Sequence, residues 1–155
     1  LLVKGPNVFK GYWKMPEKTL EDFTEDSFFK TGDKAKIDDD GYVSIVGRSK
    51  DMIITGGLNV YPKEVELILD EINDVSESAV IGVPHSDFGE AVVAVIVRNS
   101  SSIEPDEKEI ISSAKDQLAK YKLPKRVIFV EQLPRNTMSK VQKNILRDNY
   151  KNLFS

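Results

Sequence analysis

Apolar residues in the later two-thirds of the chain follow helical spacing in three places. The first helix is predicted to begin at Pro62, because proline fits the first position of a helix. The second begins at Asp106, and the third covers roughly residues 140–150. The apolar faces of the first two helices recur at intervals of three and four residues: Val65, Ile68, Leu69 and Ile72, then Ile110, Ile111, Ala114 and Leu118. Such faces predict helices that pack on a common core.

Continuous apolar runs between these helices have the composition of buried strands. They cover residues 78–83, 91–97 and 127–130, and a shorter run covers residues 52–54. A sheet flanked by helices is one of the standard layered architectures. We therefore predict an α+β fold for residues 50–155, as a small domain with a three-stranded sheet and packed helices.

Residues 1–49 have a different pattern, with short strands and one short helix at residues 16–23. Strands at residues 34–37 and 42–46 are joined by an Asp-Asp-Asp-Gly turn, which is typical of a hairpin. No stretch in this part has enough apolar residues to form a core of its own. We therefore expect residues 1–49 to be the terminal β segment of a larger N-terminal domain, with the chain beginning inside a longer protein. The boundary is predicted in the polar stretch at residues 48–51.

Composition narrows the class of protein. The 155 residues carry a net charge of −3, which argues against general nucleic-acid binding. No apolar run approaches the roughly 18 residues that span a membrane. There is no cysteine and only one histidine, His85, so thiolate metal sites are excluded and no bound metal is expected. The absence of cysteine fits a reducing compartment, and we predict a cytoplasmic protein.

Two segments that contain glycine are candidates for ligand binding. Asp33 follows Gly32, and its carboxylate can accept hydrogen bonds from vicinal hydroxyls such as those of a ribose. The alternative is a turn or cap, since aspartate favours turns by itself. Gly56 and Gly57 allow positive φ angles or a close approach of a ligand to the backbone. The alternative there is an ordinary connection between a strand and a helix.

Basic residues are concentrated between residues 120 and 147, where the only acid is Glu131. The eight are Lys120, Lys122, Lys125, Arg126, Arg135, Lys140, Lys143 and Arg147. In an acidic protein this asymmetry indicates a small anionic ligand such as a polyphosphate, with a solvated basic face as the alternative. Lys140 is predicted on a loop that enters the last helix, where a flexible ammonium suits phosphate. His85 is expected to be a surface or capping residue, and Phe88 a turn residue or a contact for a ligand tail.

Four segments together resemble, in order and spacing, the AMP-forming acyl-CoA synthetase family, which includes luciferases and peptide-synthetase adenylation domains. They are Thr31-Gly32-Asp33, residues 47–51 (Gly-Arg-Ser-Lys-Asp), residues 56–66 (Gly-Gly-Leu-Asn-Val-Tyr-Pro-Lys-Glu-Val-Glu) and residues 133–140 (Leu-Pro-Arg-Asn-Thr-Met-Ser-Lys). The resemblance covers the whole chain and implies a mobile C-terminal lid domain. It also implies a reaction in two steps, in which an acid and ATP give an acyl-adenylate and CoA then displaces AMP.

The resemblance implies roles for individual residues. Asp33 would hold the ribose hydroxyls with the help of Arg48, Lys50 would be the hinge, and Lys140 would be the catalytic lysine of adenylation. CoA contacts would come from Gly56, Gly57, Phe88, Tyr121 and Lys125. The implied substrates are ATP with Mg²⁺, CoA and a small carboxylic acid. The phosphate loop, adenine pocket and acid pocket would lie in the missing N-terminal domain, so the chain alone is expected to be inactive.

A narrower resemblance indicates the acid. Residues 5–13, 80–90 and 136–143 are most similar to the malonyl-CoA synthetase group, which implies malonate. The alternatives are another acyl- or aryl-CoA ligase, an adenylation domain that loads a carrier protein, or a lid-like domain that binds CoA or a partner without catalysis. One position departs from the family, because many relatives have glycine before the catalytic lysine and this chain has Ser139.

Overall fold

The computed structural model describes residues 1–99 and 106–155. The chain divides into two compact units, Leu1–Lys50 and Asp51–Ser155. The elements of the first unit are β1 (Leu2–Val3), α1 (Pro16–Asp22), β2 (Phe29–Lys30), β3 (Asp33–Ile37) and β4 (Val43–Arg48). β1 pairs antiparallel with β2, and β3 pairs antiparallel with β4.

The first unit has little interior. None of its residues is buried, and its main packing is an aromatic cluster around Phe9. The Phe9 ring meets the rings of Tyr12, Phe23 and Phe29 edge-on, with centroids 5.0, 5.5 and 5.1 Å away. Trp13 is 86% exposed. These features agree with the expectation that this part of the chain lacks a core of its own.

The second unit is built on a mixed sheet. Its strands are β5 (Ile53–Thr55), β6 (Leu58–Val60), β7 (Val75–His85), β8 (Gly89–Arg98) and β9 (Arg126–Val130). The order is β6-β5-β8-β7, and β9 lies parallel to β8. The α+β class is confirmed, but the sheet has five strands where three were predicted. The three long strands are the predicted ones, and the short strands β5 and β6 extend them. The predicted short run at residues 52–54 corresponds to β5, whereas the three residues of β6 carry too little periodicity to be recognised in a sequence.

Three helices pack against this sheet: α2 (Pro62–Leu69), α3 (Glu107–Ala114) and α4 (Lys143–Tyr150). α2 begins with proline, as predicted. α3 begins with a capping box, in which Asp106 Oδ1 accepts the Glu109 N–H at 2.8 Å and Glu109 Oε2 accepts the Asp106 N–H at 2.9 Å. In the described part of the chain, no helix combines the length and apolar content that a bilayer crossing requires.

Side chains of β7 and β8 alternate between two apolar cores, one on each face of the sheet. The first core also contains the predicted faces of α2 and α3: Val65, Leu69, Ile110, Ala114 and Leu118 are buried, and Ile68, Ile72 and Ile111 pack against them. The second core joins the sheet to α4 and the end of the chain: Ala79, Ile81, Val83, Val93, Val95, Leu133 and Leu146. A sheet covered on both faces explains why its strands are continuous apolar runs rather than alternating ones.

A buried carboxylate lies at the outer edge of β7, which is the end of the sheet. Glu66 is 7% exposed, and its Oε1 accepts the Val80 N–H at 2.9 Å. The same carboxylate pairs with the ammonium of Lys143, the first residue of α4. One side chain of α2 therefore holds both β7 and α4. A charge this deeply buried is tolerated because both partners satisfy it.

The substitution Glu66→Ala is expected to lower the free energy of unfolding by about 3 kcal/mol. The change leaves the half-buried Lys143 ammonium and the buried Val80 N–H without their acceptor. Urea unfolding followed by far-UV circular dichroism measures the effect. Glu71→Ala, at an exposed glutamate just after α2, is the matched control and should change stability by less than about 0.5 kcal/mol. Equal losses in the two variants would contradict this role for Glu66.

Candidate functional site

The first candidate group lies at one end of the β3–β4 hairpin. Asp33 and Arg48 are paired in the strand register, and Asp33 Oδ1 lies 3.2 Å from Arg48 Nε. Thr31 makes the local turn contact, because its Oγ1 accepts the Asp33 N–H at 3.1 Å. A carboxylate can accept about four hydrogen bonds, so Asp33 retains acceptor capacity beside the guanidinium. The arrangement is suited to a ligand that offers hydroxyl groups.

Lys50 is the last residue of the first unit and lies in the 3-10 turn Ser49–Asp51. Its side chain is exposed and, in the described ranges, forms no ion pair. Asp51 begins the second unit, and its Oδ1 lies 2.6 Å from Arg147 Nη2 in α4. The Asp51 side chain is therefore bonded to another residue of the second unit, whereas the Lys50 side chain has no ion-pair partner in the described ranges.

Four of the predicted CoA contacts lie together in the second unit. The turn between β5 and β6 has φ angles of 56° at Gly56 and 79° at Gly57, in the left-handed region that favours glycine. The Gly56 N–H donates to the Phe88 carbonyl at 2.9 Å. Lys125 Nζ lies 4.9 Å from the centroid of the Phe88 ring, within the range of a cation–π contact. Bare backbone, an aromatic ring and an ammonium group therefore share one surface.

Tyr121 lies in the 3-10 turn Lys120–Lys122, where its ring centroid is 5.7 Å from Lys122 Nζ. Lys122 also bonds to Glu64 in the first turn of α2. This hydrogen bond raises the pKa of the Lys122 ammonium above its usual value. The interaction keeps Lys122 charged. It also connects the 3-10 turn that contains Tyr121 to helix α2.

Most of the basic residues between 120 and 147 form ion pairs within the second unit. Five form ion pairs with carboxylates of the second unit: Lys122 with Glu64, Arg126 with Glu107, Arg135 with Glu77, Lys143 with Glu66, and Arg147 with Asp51. Among residues 1–99 and 106–155, no carboxylate pairs with Lys120, Lys125 or Lys140, and all three are exposed. The basic charge available to an outside anion therefore falls from eight side chains to three.

Lys140 ends a turn that is organised by Asn136. The Oδ1 atom of Asn136 accepts the N–H groups of Met138 and Lys140, both at 3.0 Å, and the Asn136 N–H donates to the Lys140 carbonyl at 3.0 Å. α4 consequently begins at Lys143, three residues later than predicted, because this turn and a backbone bridge between Arg135 and Val141 hold the intervening residues. Lys140 lies on a loop before the helix, as predicted.

Arg135 braces the same turn from outside. Its Nη1 donates to the Ser139 carbonyl at 2.6 Å, and its Nη2 pairs with Glu77 on β7. The sequence alone predicts no separate role for Arg135 or Asn136. The tendency of asparagine to bond to the backbone two residues ahead was the available signal for Asn136. Glu77, the partner of Arg135, is distant in the sequence, so no local pattern indicates this ion pair.

Ser139 adopts φ = 60°, a left-handed conformation. An L-residue other than glycine loses about 1–2 kcal/mol in this conformation. In this chain the turn is supported by the Ser139 N–H, which donates to the Asn136 carbonyl at 2.9 Å, and by the contact from Arg135. Serine is therefore held in the conformation that glycine adopts readily.

His85 is the half-buried last residue of β7, where a surface or capping residue was expected, and it makes a local capping contact. Its Nδ1 accepts the Asp87 N–H at 3.1 Å, and its ring lies 4.7 Å from the ring of Phe88 and 5.0 Å from that of Phe154. The imidazole therefore makes one hydrogen bond and two ring contacts within the second unit. Throughout the described part of the chain, no three His, Asp or Glu side chains are grouped so that they could hold a metal ion.

Comparison with known proteins gives consistent matches. Residues 64–140 match the family described as AMP-binding enzyme C-terminal domain. The long-chain-fatty-acid–CoA ligase FadD13 of Mycobacterium tuberculosis is 43% identical over 150 residues, which are 97% of this chain and 29% of that relative. The malonate–CoA ligase of Arabidopsis thaliana is 43% identical over 162 residues, or 98% of this chain and 27% of the relative.

A solved structure gives the same result. The crystal structure of ATP-bound MatB from Rhodopseudomonas palustris matches with a TM-score of 0.90 and 60% identity, over 99% of this chain and 30% of that chain. This chain therefore spans less than a third of the length of these relatives. The match agrees with the α+β architecture of the second unit. The chain therefore contains an AMP-binding enzyme C-terminal domain, and its homologues include acyl-CoA ligases.

Proposed function

We propose that this chain is the C-terminal part of an AMP-forming acid–CoA ligase. Residues 1–49 would end the nucleotide-binding body, and residues 50–155 would form its mobile lid. The observation that carries the proposal is the exposed Lys140, which has no carboxylate partner in the described structure and stands on a loop braced by Asn136 and Arg135. A fixed loop with an available ammonium suits a step in which negative charge develops on phosphate and carboxylate oxygens.

In the first step, a carboxylate oxygen of the acid attacks the α-phosphorus of ATP, and the bond to pyrophosphate breaks. Lys140 would stabilise the charge on the reacting oxygens. Asp33 would accept hydrogen bonds from the ribose hydroxyls, with the Arg48 guanidinium beside it. ATP would enter as its Mg²⁺ complex, and the large domain found in the homologues would hold the rest of the nucleotide and the acid.

In the second step, the CoA sulfur attacks the carbonyl carbon of the acyl-adenylate, and AMP leaves. The lid would turn about Lys50 between the two steps, since a few residues at the junction of two units can absorb such a rotation. The surface formed by Gly56, Gly57, Phe88 and Lys125, together with Tyr121, would then receive CoA. The exposed ammonium of Lys125 suits a phosphate group of that substrate.

Malonate is the proposed acid. The name of the Arabidopsis thaliana relative supports it, whereas the name of FadD13 points to long-chain fatty acids at the same identity. The acid pocket would lie outside this chain, so the choice has to be tested with the whole enzyme.

The full-length enzyme with ATP, Mg²⁺, CoA and malonate is expected to yield AMP, pyrophosphate and malonyl-CoA. Chromatography and a pyrophosphate assay measure these products, and a panel of fatty and aryl acids tests the choice of acid. The 155-residue chain alone should release no pyrophosphate, because it would lack the nucleotide-binding body. Turnover by the chain alone, or failure of every acid with the full-length enzyme, would disprove the proposal. Acyl transfer to a carrier protein instead of CoA would support the carrier-loading alternative.

A further inference from the structure

A half-buried carboxylate connects β8 to β5 beside the glycine turn. Glu90 is the second residue of β8, and its Oε2 accepts the Ile54 N–H at 2.8 Å. Ile54 is the middle residue of β5 and lies two positions before Gly56. The link between these strands in the sheet register is the pair Thr55–Gly89. The Glu90 side chain is therefore an additional connection between the glycine turn and the body of the sheet.

The position of this carboxylate requires a glycine on the neighbouring strand. A Cβ atom placed on Gly82 of β7 would lie 2.6 Å from Glu90 Oε1 and 2.9 Å from Glu90 Cδ. It would also lie 3.1 Å from Ile53 Cγ2, so neither neighbour has free space to receive it. The backbone of Gly82 lies outside the left-handed region. The absence of a side chain, rather than backbone freedom, is what this position needs.

Three contacts consequently fix the glycine turn to the end of the β7–β8 hairpin. They are the Glu90–Ile54 hydrogen bond, the Thr55–Gly89 strand pair and the bond from the Gly56 N–H to the Phe88 carbonyl. Two of these are backbone contacts that any sequence with the same fold can make. The bond from Glu90 depends on side-chain identity and on the space at Gly82.

We propose that Glu90, in the space left by Gly82, is a positioning residue that sets the Gly56-Gly57 turn for CoA. The inference rests on the proposed function, because it assigns this turn to the CoA step. Glu90 acts through the backbone at Ile54 and does not itself touch the reacting atoms. Its loss should weaken CoA binding and leave adenylate formation, which does not use this turn, close to normal.

In the full-length enzyme, Glu90→Ala is expected to raise the KM for CoA by about tenfold or more, with little change in pyrophosphate release from ATP and acid. This is the size expected when a hydrogen bond to a charged acceptor is lost. Glu90→Gln keeps an acceptor oxygen and should recover much of the effect. Gly82→Ala should act like Glu90→Ala because its methyl group displaces the carboxylate. The double variant Gly82→Ala/Glu90→Ala should be no worse than either single variant. Glu71→Ala is the exposed control.

Hydrogen exchange of the 155-residue chain tests the positioning separately from the enzyme reaction. In Glu90→Ala the Ile54 amide should exchange about tenfold faster, while the amides at the centre of β8 keep their protection. Unchanged exchange at Ile54, an unchanged KM for CoA, or equal losses in adenylation and CoA transfer would each overturn the proposal. A wild-type enzyme that forms no thioester would instead overturn the proposed function and the CoA part of this inference. The exchange result would still decide whether Glu90 sets the turn.

Discussion

Replacement of Lys140 by alanine in the full-length enzyme is expected to slow pyrophosphate release from ATP and acid by about 10²- to 10³-fold. Loss of one preorganised electrostatic contact to developing charge commonly has an effect of this size, about 3–4 kcal/mol in the activation free energy. CoA transfer from a supplied acyl-adenylate should remain near normal, because Lys140 would be turned away in that step. Acetylation removes the same charge and should inhibit the same step.

The structure supplies a matched control for Lys140. Lys120 belongs to the same basic segment, is exposed and has no carboxylate partner in the described ranges, so Lys120→Ala removes an equivalent surface charge. It should leave adenylation unchanged. If adenylation survives in Lys140→Ala, or if CoA transfer falls equally, the assignment of Lys140 to the first step is wrong. An equal loss in Lys120→Ala would point instead to the general positive field of the segment.

Lys50→Pro is expected to impair one half-reaction far more than the other. Proline fixes its own φ angle near −65° and restricts the residue before it, here Ser49 in the 3-10 turn. A lid that rotates at Lys50 would then be strained in one of its two orientations by about 1–3 kcal/mol, which corresponds to about 5- to 150-fold in population. Separate assays of pyrophosphate release and of CoA transfer from supplied acyl-adenylate measure the two half-reactions.

The control for this experiment is Lys50→Ala, which removes the side chain and keeps the backbone free. It should behave nearly as wild type, because the Lys50 side chain has no ion pair to lose in the described structure. Equal losses in both half-reactions of Lys50→Pro would indicate misfolding and not a blocked hinge. Thermal unfolding of both variants distinguishes these cases.

Elements with strong local signals could be predicted from the sequence. Long apolar runs identified the three long strands, and proline and the Asp106 cap marked the starts of α2 and α3. β6 was missed because three residues contain no usable pattern. The start of α4 was placed too early, because the turn built by Asn136 competes with helix formation in a way that residue spacing does not show.

The candidate site shows a sharper limit of sequence reasoning. Single residues such as Lys140 and Asp33 could be selected from motifs, but their surroundings depend on contacts between distant positions. Arg135 and Glu77 are 58 residues apart in the chain, as are Lys122 and Glu64. Only the folded structure shows that such pairs use most of the basic segment internally and leave Lys140 available. The fit between Gly82 and Glu90 is likewise visible only when the strands are paired.

The carboxylate at the outer edge of β7 has a consequence for behaviour at high concentration. An unpaired strand at the end of a sheet is a template for a strand from another molecule. Glu66 already occupies the Val80 N–H on that edge, and the nearby Ser78 hydroxyl donates to Asp70 at 2.7 Å, while Glu77 is paired with Arg135. An incoming strand would have to displace these charged groups. It could not accept a hydrogen bond from the Val80 N–H, which already donates to Glu66. The ion pairs that organise α4 and the Lys140 loop therefore also protect the sheet against aggregation through β7.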